Sequence, residues 1–126
     1  MAEYKGILNP VPKNRGGYEV NYSETEHEIG TWIDGSVLYE KTISCGALPN
    51  ASSKTISHNI TGIKQIVYSE GMAMRTGQFK PIPYIWNNTN QFIAFEFSDQ
   101  YIYINTTADY SAYTESYVTL RYTKTA

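Results

Sequence analysis

Short runs in which apolar and polar residues alternate recur along most of the chain. Eight such runs are rich in β-branched and aromatic residues and are predicted as strands: 18–22, 28–33, 37–45, 64–70, 82–86, 92–97, 101–106 and 116–124. No apolar pattern with the helical period is long enough to predict an amphipathic helix. Many short strands separated by turn residues indicate an all-β domain, an antiparallel β-sandwich or a related barrel, over residues 18–126.

The stretch EIGTWIDGSVLYEKTIS, residues 28–44, is predicted to form a hairpin. Asp34 and Gly35 tolerate positive φ, which a tight hairpin turn requires at both positions. Strand alternation places Trp32 and Ile33 on opposite faces. Trp32 is either a core residue, as large aromatic residues often are, or a partly exposed platform for stacking. In either case Trp32, Ile33, Asp34 and Gly35 are predicted to be architectural.

The second half of the chain alternates more regularly. Residues 92–97 and 101–106 are separated by a Ser-Asp-Gln turn at 98–100 and are predicted to pair as a second hairpin. In these strands and in the last one, the pattern places the following side chains inward: Ile93, Phe95, Phe97, Ile102, Ile104, Val118, Leu120 and Tyr122. The opposite faces are rich in tyrosine and hydroxyl side chains.

Three segments lack the strand pattern. Residues 1–17 combine prolines and glycines with polar residues and are predicted to be an extended leader or connector. Residues 46–63 and 71–81 are predicted to be loops, although SSKTISHNI (52–60) could hold one helical turn.

Composition excludes several classes of partner. The net charge is -2 and the pI is near 5.6, so the chain has no basic surface of the kind that nucleic acid or anionic lipid requires. No apolar run has membrane-spanning length, and the first residues do not resemble a signal peptide, so we expect synthesis in the cytoplasm and no membrane insertion. Cys45 is the single cysteine, which excludes an internal disulfide.

The sequence offers no catalytic or metal-binding motif. His27 lies among Glu24, Glu26 and Glu28, but strand alternation turns the three carboxylates to one side and the imidazole to the other. A charged edge strand is therefore expected there, and no metal site. Cys45 and His58 also lack the surrounding signature of a nucleophile and its base. We expect a protein without enzymatic activity and without a cofactor.

Two segments of the second half combine aromatic rings with amide and hydroxyl groups, and both are too polar to be predicted as core. They are IWNNTNQ and TTADYSAYTES. Aromatic faces beside hydrogen-bonding groups suit sugar rings, and loops on a rigid sandwich commonly carry function. The candidate binding residues are Trp86, Asn87, Asn88, Tyr110, Tyr113 and Arg75. The alternative is that Trp86 faces inward and the tyrosines cover a contact between subunits.

The segments GTWIDGSVLYEKTI and YVTLRYTKTA resemble the C-terminal domains of bacteriophage and prophage tail fibres and other tail proteins. With YSETEHEIG, the Leu48-Pro49 loop and ISHNI between them in order, the resemblance spans about residues 22–126. It implies a β-sandwich head, usually a homotrimer, that contacts the host cell surface through a cell-wall carbohydrate. A leader that docks on other virion proteins would fit this role. The alternative role is a purely structural virion component, and a polysaccharide-degrading enzyme is a distant third.

Overall fold

The structure of the protein, a computed structural model, describes residues 21–86 and 90–125. These residues form nine strands: β1 (His27–Thr31), β2 (Val37–Ser44), β3 (Ser53–Ser57), β4 (Ile63–Arg75), β5 (Gln78–Ile82), β6 (Tyr84–Ile85), β7 (Phe92–Phe97), β8 (Tyr101–Thr106) and β9 (Glu115–Lys124). No helix occurs in the part of the chain that the structure describes. The predicted leader, residues 1–17, lies outside the described residues.

The strands form two antiparallel sheets that pack face to face. The large sheet has the strand order β1-β2-β9-β4-β5, and the small sheet has the order β3-β8-β7-β6. The chain passes from the large sheet to the small one twice, between β2 and β3 and between β5 and β6, and the second passage contains a cis peptide bond at Ile82-Pro83. The sheets remain separate, so the predicted β-sandwich is confirmed and the closed barrel is excluded.

The core lies between the sheets and is centred on β9, the middle strand of the large sheet. Val118, Leu120 and Tyr122 project from one face of β9 and are fully buried, as the alternation predicts. Ile93, Ile102 and Ile104 on β7 and β8 are also fully buried and complete the core from the small sheet. Burying each such side chain contributes roughly 1.5–3 kcal/mol, so these strands supply much of the driving force for folding.

The hairpin at residues 98–100 also forms as predicted. The amide of Ser98 donates to Tyr101 O (2.9 Å), and Phe97 faces Ile102 across the two strands. Phe95 and Phe97 are only partly buried, because they pack against the periphery of the core.

The first hairpin forms at the predicted place but with a different turn. Trp32 and Ser36 close a three-residue loop: Trp32 N donates to Ser36 O (2.8 Å), and Gly35 N donates to Trp32 O (2.9 Å). Within this loop of residues 33–35, only Gly35 has positive φ (+87°), so the prediction that Asp34 shares this conformation is wrong. The three-residue loop needs one left-handed residue instead of two, and Asp34 instead accepts a hydrogen bond from the amide of Ser36 (2.9 Å).

Two predicted loops contain strands. Within 46–63, Ser53–Ser57 forms β3, an edge strand whose inward residues are Lys54 and Ile56. This strand was not predicted because a lysine occupies one of its two inward positions, so the sequence shows no apolar alternation there. Within 71–81, β4 continues to Arg75 and turns at Thr76 and Gly77 into β5. The predicted strand 82–86 is divided at Pro83, and residues 21–22, the described end of predicted strand 18–22, are not in a strand.

Candidate functional site

The face of the large sheet that points away from the core carries aromatic, hydroxyl and charged side chains together. Residues paired across antiparallel strands project from the same face. Glu40, Thr42 and Ser44 on β2 are paired with Arg121, Thr119 and Tyr117 on β9. The same β9 residues are paired on the other side with Tyr68, Glu70 and Met72 on β4. This outer face therefore extends without interruption across three strands.

The segment before β1 adds a wall to this face. The amide of Thr42 donates to Ser23 O (2.8 Å), so residues 22–24 run beside β2. Tyr22 reaches over the sheet, and its hydroxyl donates to Glu70 Oε1 on β4 (3.4 Å). A groove of about 410 Å³, hereafter the outer groove, lies against these residues; its lining is Tyr22, Ser23, Glu24, Thr42, Glu70, Gly71, Met72, Tyr117 and Thr119.

Two buried threonines supply polar groups to the outer groove. Thr42 and Thr119 are cross-strand partners, and their Oγ1 atoms are 2.8 Å apart. Their mutual hydrogen bond uses one hydroxyl proton, and the other has no acceptor among the described residues. The exposed rings of Tyr22 and Tyr117 and the side chain of Met72 supply the apolar lining. The outer groove thus combines flat apolar surfaces with an unused hydrogen-bond donor.

The charged residues that line the outer groove are Glu24 and Glu70, both anionic. Arg121, the cation on the neighbouring outer-face position, donates from Nε to Glu40 Oε2 (2.8 Å) and lies 4.5 Å from the centre of the Tyr68 ring. The hydrogen bond with Glu40 raises the pKa of Arg121. The buried Glu40 carboxylate compensates the positive charge of Arg121. The net charge of the outer groove is therefore negative.

Beyond Met72 the outer face becomes apolar. Met72 is paired with Pro81, and Met74 is paired with Phe79, at the β4–β5 end of the sheet. Phe79 is 68% exposed. We call Met72, Met74, Phe79 and Pro81 the β4–β5 patch.

Three of the predicted binding residues lie together, but two of them are buried. The guanidinium of Arg75 lies 5.6 Å from the Tyr113 ring, and the Tyr110 and Tyr113 rings are 6.3 Å apart. Tyr110 and Tyr113 are 8% and 4% exposed, so the expectation that their segment is too polar for the core is wrong. The rings close one end of the sandwich, where the Tyr113 hydroxyl donates to Gln78 Oε1 (3.0 Å).

Trp86, a further predicted binding residue, directly follows β6. Trp86 is 51% exposed, and its amide donates to Gln91 O (2.9 Å). Its half-exposed side chain is compatible with the predicted stacking role. Asn87 and Asn88 lie outside the described residues.

The hairpin residues divide between exposed and half-buried positions. Ile33 is 90% exposed and Trp32 is half-buried, intermediate between the two alternatives considered for it. Lys64 on β4 approaches Asp34 (3.5 Å). Hydrogen bonds from Ser36 lower the pKa of Asp34, and the positive charge of Lys64 lowers it further. An architectural role for these residues remains a prediction.

The titratable residues considered for chemistry lie in separate environments. His27 Nε2 is 3.5 Å from Glu40 Oε1, whereas Glu26 accepts hydrogen bonds from Tyr122 and Lys124. Burial raises the pKa of the Cys45 thiol to about 11, although Lys54 acts in the opposite direction. No group of three histidine, cysteine or acidic residues within 21–86 and 90–125 is arranged to hold a metal ion.

The residues of the outer groove were not predicted as a site. Thr42, Glu70 and Tyr117 are far apart in sequence and meet through the β2-β9-β4 register. Tyr22 joins them because the segment before β1 runs beside β2. The available signal was the outward row of tyrosine and threonine on the last strand. Among the described residues, no helix is long and apolar enough to cross a membrane. Comparisons with protein-family models, curated proteins and solved structures give no significant match.

Proposed function

We propose that this chain is a host-attachment domain of a bacteriophage virion and that its outer groove binds a carbohydrate of the host cell surface. The observation that carries the binding proposal is the pairing of exposed tyrosine rings with buried hydroxyls in one groove, between Tyr22, Tyr117, Thr42 and Thr119. The groove, at about 410 Å³, is large enough for a sugar residue, since small-molecule sites typically measure roughly 300–1,000 Å³.

Sugar recognition needs the two kinds of surface that the outer groove provides. A pyranose ring has C–H faces that pack on aromatic rings, and Tyr22 and Tyr117 supply such rings. Its hydroxyl groups both donate and accept hydrogen bonds, and hydroxyl and carboxylate side chains can satisfy them. Thr42, Thr119 and Glu70 supply these groups in the same groove.

The assignment to a virion rests on the resemblance of GTWIDGSVLYEKTI and YVTLRYTKTA to tail fibre and other tail proteins. The proposal includes a homotrimer, and other virion proteins as partners of the leader. Light scattering of the purified chain should give three times the monomer mass of 14.3 kDa. A monomer at micromolar concentration would contradict the trimer and leave the groove proposal intact.

Glycan binding is tested by comparing two tyrosines of nearly equal exposure. Tyr117 in the outer groove is 37% exposed, and Tyr101 on the outer face of the small sheet is 38% exposed. The protein is first screened on an array of bacterial cell-wall glycopolymers, and Kd is then measured for the glycans that bind. Tyr117→Ala should weaken binding about 5-fold to 30-fold, the effect of losing roughly 1–2 kcal/mol. Tyr101→Ala should bind like the parent.

If no cell-wall glycan binds, or if Tyr101→Ala and Tyr117→Ala lower affinity equally, the outer groove is not the glycan site. Thermal melting of both variants separates loss of binding from loss of folding.

A second role, as a structural virion component, is favoured by the β4–β5 patch. Met72, Phe79 and Pro81 are exposed side by side on the sheet surface, and an exposed apolar patch is typical of protein contacts. Phe79→Ser should lower the mass measured by light scattering if this patch joins subunits. Loss of assembly with unchanged glycan binding would assign the patch to architecture and the outer groove to attachment.

A further inference from the structure

We infer that the ligand of the outer groove carries a protonated amine, either on an amino sugar or on an aminoacyl ester of a surface glycopolymer. This inference rests on the proposed function and specifies the charge of its ligand. It is carried by the charge and the unused hydrogen-bonding capacity of the groove.

Both charged side chains in the lining are carboxylates, Glu24 and Glu70. Glu24 makes no ion pair or hydrogen bond with the described residues. Glu70 receives a long hydrogen bond, 3.4 Å, from the Tyr22 hydroxyl. Partial burial raises the pKa of Tyr68, and a hydrogen bond to Glu70 acts in the same direction, so the second neighbour of this carboxylate is also a neutral hydroxyl. No cation within 21–86 or 90–125 forms an ion pair with Glu70. Two carboxylates without cationic partners in one groove favour a positively charged ligand.

The remaining lining suits the same ligand. An ammonium group is attracted to the face of an aromatic ring, and the exposed rings of Tyr22 and Tyr117 line the groove. An ammonium group has three donors and no acceptor, so it can be satisfied by carboxylate and hydroxyl oxygens together. Glu70 is paired directly with Thr119 across β4 and β9, which brings a carboxylate and a hydroxyl to neighbouring positions.

The same arrangement disfavours anionic ligands. A phosphate or a uronic acid in the outer groove would face Glu24 and Glu70, and like charges repel. Arg121 is paired through its Nε with the Glu40 carboxylate (2.8 Å), so this ion pair adds no net positive charge that would offset the repulsion. A neutral N-acetyl sugar would keep the ring contacts but lose the charged ones. The groove should therefore rank ligands as amine, neutral sugar and anion, in decreasing affinity.

The test uses four soluble probes with the full chain. They are tetraglucosamine, tetra-N-acetylglucosamine, D-alanylated polyglycerol phosphate, and that polymer after its D-alanyl esters have been removed. Tetraglucosamine, the D-alanylated polymer or both should bind at least about tenfold more tightly than the matched probe without free amines, and added salt should weaken this binding. The two amine probes distinguish an amino sugar from an aminoacyl ester.

Glu70→Gln should lower affinity for the amine probe about 10-fold to 100-fold, the range expected on loss of a charge-assisted hydrogen bond. The control is Glu96→Gln, which removes the same charge from an exposed position on the small sheet. It should leave the affinity unchanged.

Failure of the inference and failure of the proposed function give different results. If the N-acetylated or de-esterified probe binds as tightly as its amine counterpart and Tyr117→Ala still weakens binding, the amine inference is overturned and the groove remains a glycan site. If no probe and no array glycan binds, the proposed function and the inference fall together. Equal effects of Glu70→Gln and Glu96→Gln would reduce the amine preference to a general charge effect and overturn the assigned site.

Discussion

Tyr122 combines a fully buried ring with a hydrogen bond from its hydroxyl group. Its ring is fully buried and stacks on Tyr39, with centroids 6.0 Å apart, while its hydroxyl donates to Glu26 Oε1 (2.7 Å). Burial raises the pKa of Tyr122, and the bond to Glu26 acts in the same direction. Glu26 also accepts from Lys124 Nζ (3.0 Å). The segment before β1 is thereby attached to the last strand of the fold.

The pKa of Glu26 gives this attachment a pH dependence. Burial alone would raise that pKa, but hydrogen bonds from Tyr122 and Lys124 outweigh burial and lower it. A carboxylate with a lowered pKa stabilises the fold above its unfolded value, about 4.3 for glutamate, and loses that contribution as the pH falls through the folded value.

We predict that Glu26→Gln lowers the free energy of unfolding by about 1 kcal/mol at pH 7, because charge-assisted bonds become neutral ones. Urea unfolding followed by fluorescence measures the change. The difference between the variant and the parent should shrink as the pH falls below about 4. Glu96→Gln, an exposed control, should stay within about 0.5 kcal/mol of the parent at each pH. A constant difference down to pH 2 would contradict the role of the Glu26 charge.

Single residues were the least predictable level of this molecule. Tyr110 and Tyr113 lie in a segment of threonine, serine and aspartate, and nothing local shows that their rings close the core. A tyrosine can be buried in a polar segment because only its hydroxyl needs a partner, which Gln78 provides for Tyr113. That partner is 35 residues away and invisible to local reasoning.

Among the elements, β2 and β3 are joined by two lysines, each of which binds backbone carbonyls in the segment that follows the other strand. Lys54 on β3 donates to Cys45 O (2.6 Å) and Ala47 O (2.7 Å), in the segment that follows β2. Lys41 on β2 donates to His58 O (2.8 Å), in the segment that follows β3. Each ammonium group satisfies backbone carbonyls that no strand partner reaches.

We predict that Lys54→Met destabilises the fold by about 1–3 kcal/mol, because two carbonyls lose their donor while the side-chain volume is nearly kept. The matched control is Lys64→Met, since Lys64 is exposed and its ion-pair partner among the described residues is Asp34, at 3.5 Å. The control should change the unfolding free energy by less than about 1 kcal/mol. Equal effects in thermal or urea unfolding would show that the loss reflects charge and not the carbonyl contacts of Lys54.

The turn of the first hairpin makes a second element-scale prediction. A Cβ at Gly35 would meet no atom within 4 Å, so a substitution there acts through the backbone alone. Gly35→Val should cost about 1–2 kcal/mol because its φ of +87° disfavours L residues. Gly35→Asn should cost less, since asparagine tolerates positive φ. Equal losses would contradict this account, and a folded variant that lost glycan binding would make the turn a binding element.

Which elements the sequence revealed depends on how their patterns relate to the core. β7, β8 and β9 were all predicted, because apolar residues alternate along their inner faces. On β9 this alternation persists in the sequence although Thr119 and Thr123 on its outer face are buried as well. β3 was missed because one of its inward residues is Lys54, whose charged end reaches carbonyls beyond the sheet edge. The β4–β5 hairpin was missed because GMAMRTGQF reads as a loop in the absence of its partner strand β9.

In the molecule as a whole, the inner and outer faces of the sheets have different roles. The inner faces form one core, and the outer face of the large sheet carries the candidate site. Sequence reasoning reached the sandwich because periodicity is a local signal. It could not predict the outer groove, because residues 42, 70 and 119 are brought together by the register of non-consecutive strands. Residue 22 is added by the segment before β1, which runs beside β2.

The single cysteine makes the cooperativity of this sandwich measurable. Cys45 is 3% exposed, and its amide donates to Ser116 O (2.8 Å), which ties the end of β2 to β9. Its carbonyl accepts from Lys54 on the small sheet (2.6 Å), so elements of both sheets meet at this residue. We therefore expect exposure of the thiol to require separation of the two sheets.

We predict that a thiol reagent modifies native Cys45 only through global unfolding. Burial raises the thiol pKa to about 11, so the folded form contributes little thiolate at pH 8. The free energy of opening, derived from labelling rates across a urea series, should equal the unfolding free energy from fluorescence, with the same dependence on urea. Lys54→Met should lower both values together. Labelling that is fast and independent of urea would instead reveal local opening at the β2 end and contradict a single cooperative unit.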